Sequence, residues 1–241
     1  MNLFTITTAF REELNALNLT RNDKFIYNTL DYAIDSLFQY FEFTKGNKIN
    51  NLYLGMNPGP FGMMQTGIPF GSVDKCEKFL NINSGVTVPH EQYEKRPIVG
   101  FSCKKAEVSG SRLWGLVEKE YKTKEAFFRE NLIINYCPLC FLALDKNAKN
   151  IALDKINRKE LKEIEKVCDK YLLLYIEYFK PKNLIGIGKY AFQVCQRVGK
   201  DDYNITFIIH PSPVNPQANT DWEERTLIKL RSEGIMNEKS L

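Results

Sequence analysis

Several things that would place this chain in other classes are missing from it. It contains no run of about 18 apolar residues, so no membrane-spanning helix is expected. The opening MNLFTITTAFREEL has no basic stretch ahead of an apolar core, so no secretory signal is expected either. An intracellular protein follows as the expectation, in the cytoplasm or nucleoid of a bacterium or the nucleus of a eukaryote. No block of five or more like charges occurs, so any positive surface must be assembled by folding. There is no Gly-x-x-x-x-Gly-Lys-Ser/Thr loop for a nucleoside triphosphate and no Gly-x-Ser-x-Gly turn for a serine nucleophile. Histidine is scarce, with only His90 and His210. Of six cysteines only Cys137 and Cys140 are closely spaced, and no second pair exists to complete a zinc or iron–sulfur site. They are expected to be reduced, structural thiols, and neither metal nor cofactor is expected.

What the chain does have is a core. Its 241 residues are 44% hydrophobic and 12% aromatic, enough for one well-packed domain spanning 1–241. Residues 1–20 are expected to be peripheral to it. No repeat or linker appears. With 33 basic and 29 acidic residues the net charge is +4, which permits a nucleic-acid partner without demanding one.

Apolar residues recur at helical spacing from Asp23 to Phe43, with Asn22 or Asp23 as the cap and Gly46 past the end. Four short apolar runs then read as buried strands: Leu52–Met56, Leu132–Tyr136, Leu184–Ile187 and Ile205–Ile209. Helical patterns occupy Ser109–Tyr121, Arg158–Phe179 (stopped by Pro181), Tyr190–Val198 and Trp222–Glu233. Strands alternating with helices imply a three-layer α/β fold, a central four-stranded parallel sheet flanked by helices. Ligands of such sheets bind beyond the carboxyl ends of the strands. Three of these ends run into GMNPGP, NYCPL and HPSP, which should therefore meet on one rim.

GMNPGPFGMMQTGIPFG holds five glycines and three prolines in 17 residues, yet also Met56, Phe61, Met63, Met64 and Phe70. A solvated loop rarely carries so many large apolar side chains. Fixed backbone, close approach and apolar walls suit a tight ligand pocket. HPSPVNPQAN follows a strand with alternating prolines, leaving a stiff backbone whose amides can meet phosphates or press into a duplex. His210 and Asn135 stand at two strand ends of the same rim. Neither motif contains an acid, so no motif carboxylate is expected to activate water, and a modest rate is expected of any hydrolysis here.

These segments resemble the single-strand-selective monofunctional uracil-DNA glycosylases of the uracil-DNA glycosylase superfamily. The two motifs look like the family's first and second, and the similarity continues through KRPIVGF, EVSGSRLWG, NYCPLCFL and GIGKYA, over roughly residues 45–235. The resemblance implies hydrolysis of the N-glycosidic bond of uracil, and of oxidised uracils such as 5-hydroxymethyluracil, in single- and double-stranded DNA. That step initiates base-excision repair, with no cofactor and no strand-cleaving lyase activity. It implies that Asn57 positions the attacking water and His210 supports charge on the leaving base. Phe70 would stack on the flipped base, Asn135 would read its edge, and Met56 and Gly59 would line the pocket. Contacts to DNA are expected from Pro211, Ser212, Pro213, Val214, Asn215, Gln217 and Asn219, from Lys146, Lys149 and Lys155, and from Arg112, Gly188 and Lys189. The family usually carries Arg where this chain has Val214, which can insert as an apolar wedge but cannot make a charged contact. A monomer is expected. Two other readings stay open: a glycosylase mainly for another deaminated base such as xanthine or hypoxanthine, and a non-catalytic binder of damaged or abasic DNA.

Overall fold

The computed structural model describes residues 2–200 and 202–236. Its strands are β1 (Lys24–Asn28), β2 (Asn51–Gly55), β3 (Asn131–Asn135), β4 (Leu139–Ala143), β5 (Asn150–Ile151), β6 (Asn183–Ile187) and β7 (Asn204–Ile208). The longer helices are α1 (Leu3–Asn15), α2 (Ile34–Glu42), α3 (Val108–Tyr121), α4 (Arg158–Phe179), α5 (Lys189–Gly199) and α6 (Trp222–Ser232).

The four apolar runs form one parallel sheet in the order β3-β2-β6-β7, as the pattern implied. Leu52, Leu54, Leu132, Ile133, Leu184 and Ile185 are buried, as a sheet covered on both faces requires. Register is marked at the start of every strand by asparagine. Asn51 donates to Asn131 at 2.9 Å, Asn183 to Asn51 at 2.6 Å and Asn204 to Asn183 at 2.9 Å. Each of these pairs is also directly opposite in the ladder. A one-residue slip would break three side-chain bonds together, so the polar ladder specifies register where apolar packing alone would tolerate exchange.

The segment from Asp23 to Phe43 is not one helix. Its first part is β1, followed by a helical turn at Thr29–Tyr32 and then α2. KFIYN reads equally as a strand, and pairing with β4 wins because it is antiparallel over five residues, Phe25 opposite Leu142 and Tyr27 opposite Cys140. The cap is accordingly Asn28, whose side chain accepts from the Leu30 amide, and neither Asn22 nor Asp23. β1, β4 and β5 make a second, antiparallel sheet that the sequence pattern did not predict. Residues 1–20 are not peripheral either. Ile6, Phe10 and Leu14 of α1 are buried against α4, where Phe10 stacks on Tyr171 at 4.6 Å and Thr7 bonds Tyr175 at 2.8 Å. Cys137 and Cys140 are buried free thiols at the β3–β4 junction.

The fold therefore delivers β2, β3 and β7, by their carboxyl ends, to one rim carrying Met56, Asn135 and His210. Replacing Asn51 by Ala should cost about 1–3 kcal/mol, because Asn131 and Asn183 each lose a buried partner. Urea denaturation would read it; a loss below about 0.5 kcal/mol would mean the ladder adds nothing beyond packing.

Candidate active site

The loop after β2 is long but not loose. Tyr32 donates to the Met64 carbonyl at 2.6 Å, Ser36 to Thr66 at 2.6 Å and Trp114 to Pro69 at 3.1 Å. Gln65 closes it against the neighbouring segment, accepting from the Val99 amide at 2.9 Å and donating to the Pro97 carbonyl at 3.0 Å. These buried side chains hold the loop by its carbonyls, so its apolar residues face one fixed cavity.

Phe70 shows how tight the fit is. It sits at φ 54°, a left-handed conformation that costs a bulky residue roughly 1–3 kcal/mol and persists only when its surroundings enforce it. A side chain at Gly55 would meet the Phe70 ring at 2.5 Å and collide with Asn135 Oδ1. One at Gly110 would collide with the Phe70 carbonyl. Both glycines are thus required by the position of this ring, which lies 5.6 Å from the His210 ring.

The cavity has a volume of about 210 Å³ and is lined by Met56, Asn57, Gly59, Met63, Phe70, Asn135 and His210, together with Glu107, Asn150 and Ser212. The structure brings together every residue that the resemblance assigned to the chemistry. Their electrostatics are specific. Burial lowers the His210 pKa from 6.5 to about 4, so the ring is neutral at physiological pH. The Ser212 amide donates to its Nδ1 at 3.1 Å, which leaves the proton of the neutral ring on Nε2 as a donor. Asn135 gives one amide hydrogen to Met63 Sδ at 3.1 Å, while its buried Oδ1 has no partner among the described residues. An unpaired buried acceptor is costly and marks a place where a ligand N–H belongs. Asn57 is oriented from two sides: its Nδ2 makes a long 3.5 Å contact with the Leu139 carbonyl, and its Oδ1 accepts from the Leu153 amide at 3.3 Å.

Two cavity residues were not foreseen. Asn150 belongs to β5, invisible in the pattern. Glu107 precedes α3 in EVSG and puts a carboxyl into a cavity whose two motifs contain none. Desolvation raises its pKa, opposed by the Ser109 amide and hydroxyl and the Gly110 amide. An acid standing directly before an apolar helix was the available signal.

Around the cavity mouth the residues from Pro211 to Asn219 form a compact turn. Val214 is 88% exposed at its tip. Arg112 has a different task from a phosphate contact. It donates to the carbonyls of Pro211 and Ala218, each at 3.0 Å, and to Asn219 Oδ1 at 3.3 Å, so it braces the turn from beneath. Asn219 in turn donates to Pro213 at 2.9 Å. Gly188 at φ 91° lets the β6–α5 turn pass beside His210. Lys146 and Lys149 are exposed in the β4–β5 connection, and Lys155 pairs with Asp154 at 3.2 Å beside the Leu153 amide that touches Asn57.

The imidazole state is measurable. An NMR titration of His210 should give a pKa near 4, below its ordinary value, with stability falling as pH drops from 6.5 toward 4 because only the unfolded chain takes up that proton. A pKa of 6.5 or above would contradict the neutral donor.

The model of the Uracil DNA glycosylase superfamily matches residues 42–231. A single-strand selective monofunctional uracil-DNA glycosylase of Rattus norvegicus is 34% identical over 228 residues, covering 93% of this chain and 81% of the relative. The Bos taurus protein of the same description is 34% identical over 229 residues, covering 93% and 83%. The crystal structure of Pedobacter heparinus SMUG2 shares the fold, with a TM-score of 0.63 at 17% identity over 94% of this chain and 99% of that one. The chain belongs to the uracil-DNA glycosylase superfamily, alongside its single-strand-selective monofunctional members.

Proposed function

We propose that this protein hydrolyses the N-glycosidic bond of uracil in DNA, and of oxidised uracils such as 5-hydroxymethyluracil, in single strands and in duplexes. The observation that carries this reading is the facing of an unpartnered acceptor, Asn135 Oδ1, and a neutral imidazole donor, His210 Nε2–H, across a cavity floored by Phe70.

The target base must leave its stack to reach a cavity this deep. Stacking on Phe70 returns roughly 1–3 kcal/mol of that cost. Asn135 accepts from uracil N3–H and turns its amide hydrogens to O4. Cytosine presents a donor at position 4 and an acceptor at N3, which would leave Asn135 mismatched in a dry site, and such sites discriminate strongly. As the C1′–N1 bond breaks, its electron pair goes to the base and the sugar becomes cationic. His210 donates toward O2, where the anionic charge gathers, a contribution of about 3 kcal/mol. A water held by Asn57 adds to C1′ and loses its proton to solvent. Asparagine is a feeble base, and this suits a dissociative path in which the sugar cation is already reactive. No lysine lines the cavity among the described residues, in keeping with hydrolysis without a Schiff base.

The turn from Pro211 to Asn219 lies where it can enter the gap left by the flipped base. Val214 at its tip supplies an apolar wedge with no cation, which favours single strands over a tight grip on duplex product.

Oligonucleotides carrying uracil in single strands, U:G and U:A pairs should break on alkali after incubation with the protein. His210→Ala should slow release by on the order of 100-fold. No breaks on any substrate would contradict the reading, and release only of xanthine or hypoxanthine would move it to another base. Tight abasic-site binding without release would indicate a binding protein.

A further inference from the structure

Glu107 is the one acidic side chain lining the cavity among the described residues, and the mechanism above gives it no part. Its place is specific. A side chain at Gly59 would come within 2.7 Å of Glu107 Oε2, and one at Gly62 within 2.7 Å of its Cγ. Two glycines of the loop thus leave room for this carboxyl, and it lies in the space where their side chains would stand. Its charge is felt by the Cys140 thiol on β4, the strand that leaves the β3 end of the sheet. Glu107 therefore belongs to the β3–β4 flank of the cavity, whereas His210 follows β7 at the opposite edge.

A uracil seated as proposed has most of its edge assigned. O2 meets His210, N3–H and O4 meet Asn135, and N1 carries the sugar toward Asn57. C5 and C6 remain, and C5 lies directly across the ring from C2. The wall across the cavity from His210, next to Asn135, is the one formed by Gly59, Gly62 and Glu107. Resting on that reading of the site, we infer that Glu107 reads the substituent at C5 of the base, as a hydrogen-bond acceptor that selects groups carrying a donor and rejects a methyl group.

The chemistry follows from the side chain's inventory. An ionised carboxylate only accepts. A 5-hydroxymethyl group offers an O–H and satisfies it. A hydrogen at C5, as in uracil, leaves room for a water to do the same. The methyl of thymine fills that room and offers nothing, so a desolvated carboxylate is left without a partner, which is costly. A 5-formyl group presents an acceptor to an acceptor. Glu107 would thus admit damaged 5-substituted uracils while excluding thymine, the abundant normal base with the same N3–O4 edge as uracil.

The test is a comparison of substrates within one preparation, so that any loss of folded protein cancels. The kcat/KM for uracil, 5-hydroxymethyluracil, 5-formyluracil and thymine is measured in one sequence context for the wild type, Glu107→Gln and Glu107→Leu. Glutamine can donate to a formyl oxygen, so the hydroxymethyl-to-formyl ratio should fall about tenfold in Glu107→Gln. Leucine removes the desolvated carboxylate, so the thymine-to-uracil ratio should rise and the hydroxymethyl-to-uracil ratio should fall, each by about tenfold or more. A common loss on all substrates with the ratios unmoved would overturn the inference, and would instead be the mark of a carboxylate acting on the water or on the fold. A wild type that releases none of these bases would defeat the uracil reading itself, an outcome separate from any change in ratios.

Discussion

The site depends on the absence of a side chain at residue 55. β2 ends at Gly55, and over that bare backbone the Phe70 ring and the Asn135 amide come together; a single methyl there would overlap both. The constraint propagates outward. Phe70 can reach this position only in a left-handed backbone conformation. That conformation is held by Thr66, which accepts from the Ile68 amide and donates to the Gly71 carbonyl at 3.0 Å, and by Gly110, whose bare Cα admits the Phe70 carbonyl. Local strain at Phe70 is therefore offset by a well-packed surround, which is how a strained residue persists at a functional position.

Within that frame the polar groups are few and their states are set by burial. His210 is kept neutral by desolvation and given its tautomer by one backbone amide. Asn135 keeps an acceptor without a partner. In water neither feature would matter much. In a low-dielectric cavity an oriented donor and an unsatisfied acceptor are each worth a large share of the selectivity and of the rate. The same physics gives Arg112 its value: three acceptors from one turn converge on its guanidinium, so the chain beyond His210 is stiff without regular secondary structure.

Much of this was legible in the amino-acid sequence because it is local. Short apolar runs ending in Gly-Met-Asn-Pro, Asn-Tyr-Cys-Pro and His-Pro-Ser-Pro placed the rim, and α4 was readable to the residue because Asn157 caps it and Pro181 follows it. What escaped was decided by partners far along the chain. KFIYN is a strand only because Leu139–Ala143 pairs with it, and the helical period of the residues after it masked that choice. α1 looked detachable until Tyr171 and Tyr175, more than 150 residues away, gave it a surface. Glu107 lies outside both motifs and enters the cavity only because Gly59 and Gly62 leave room for it. The asparagine ladder was visible in principle, since an asparagine opens each of the four strands, but a polar residue before an apolar run reads as a turn until the strands are aligned.

The central claim is that base identity is read by Asn135 across a dry cavity. Its most direct test is the single-turnover release of uracil against cytosine from otherwise identical single strands, by the wild type and by Asn135→Ala. The account predicts a wild-type preference for uracil on the order of 10⁴ or more, collapsing in the variant, because the mismatch with cytosine disappears together with the match to uracil. A preference left intact by the loss of Asn135 would contradict it.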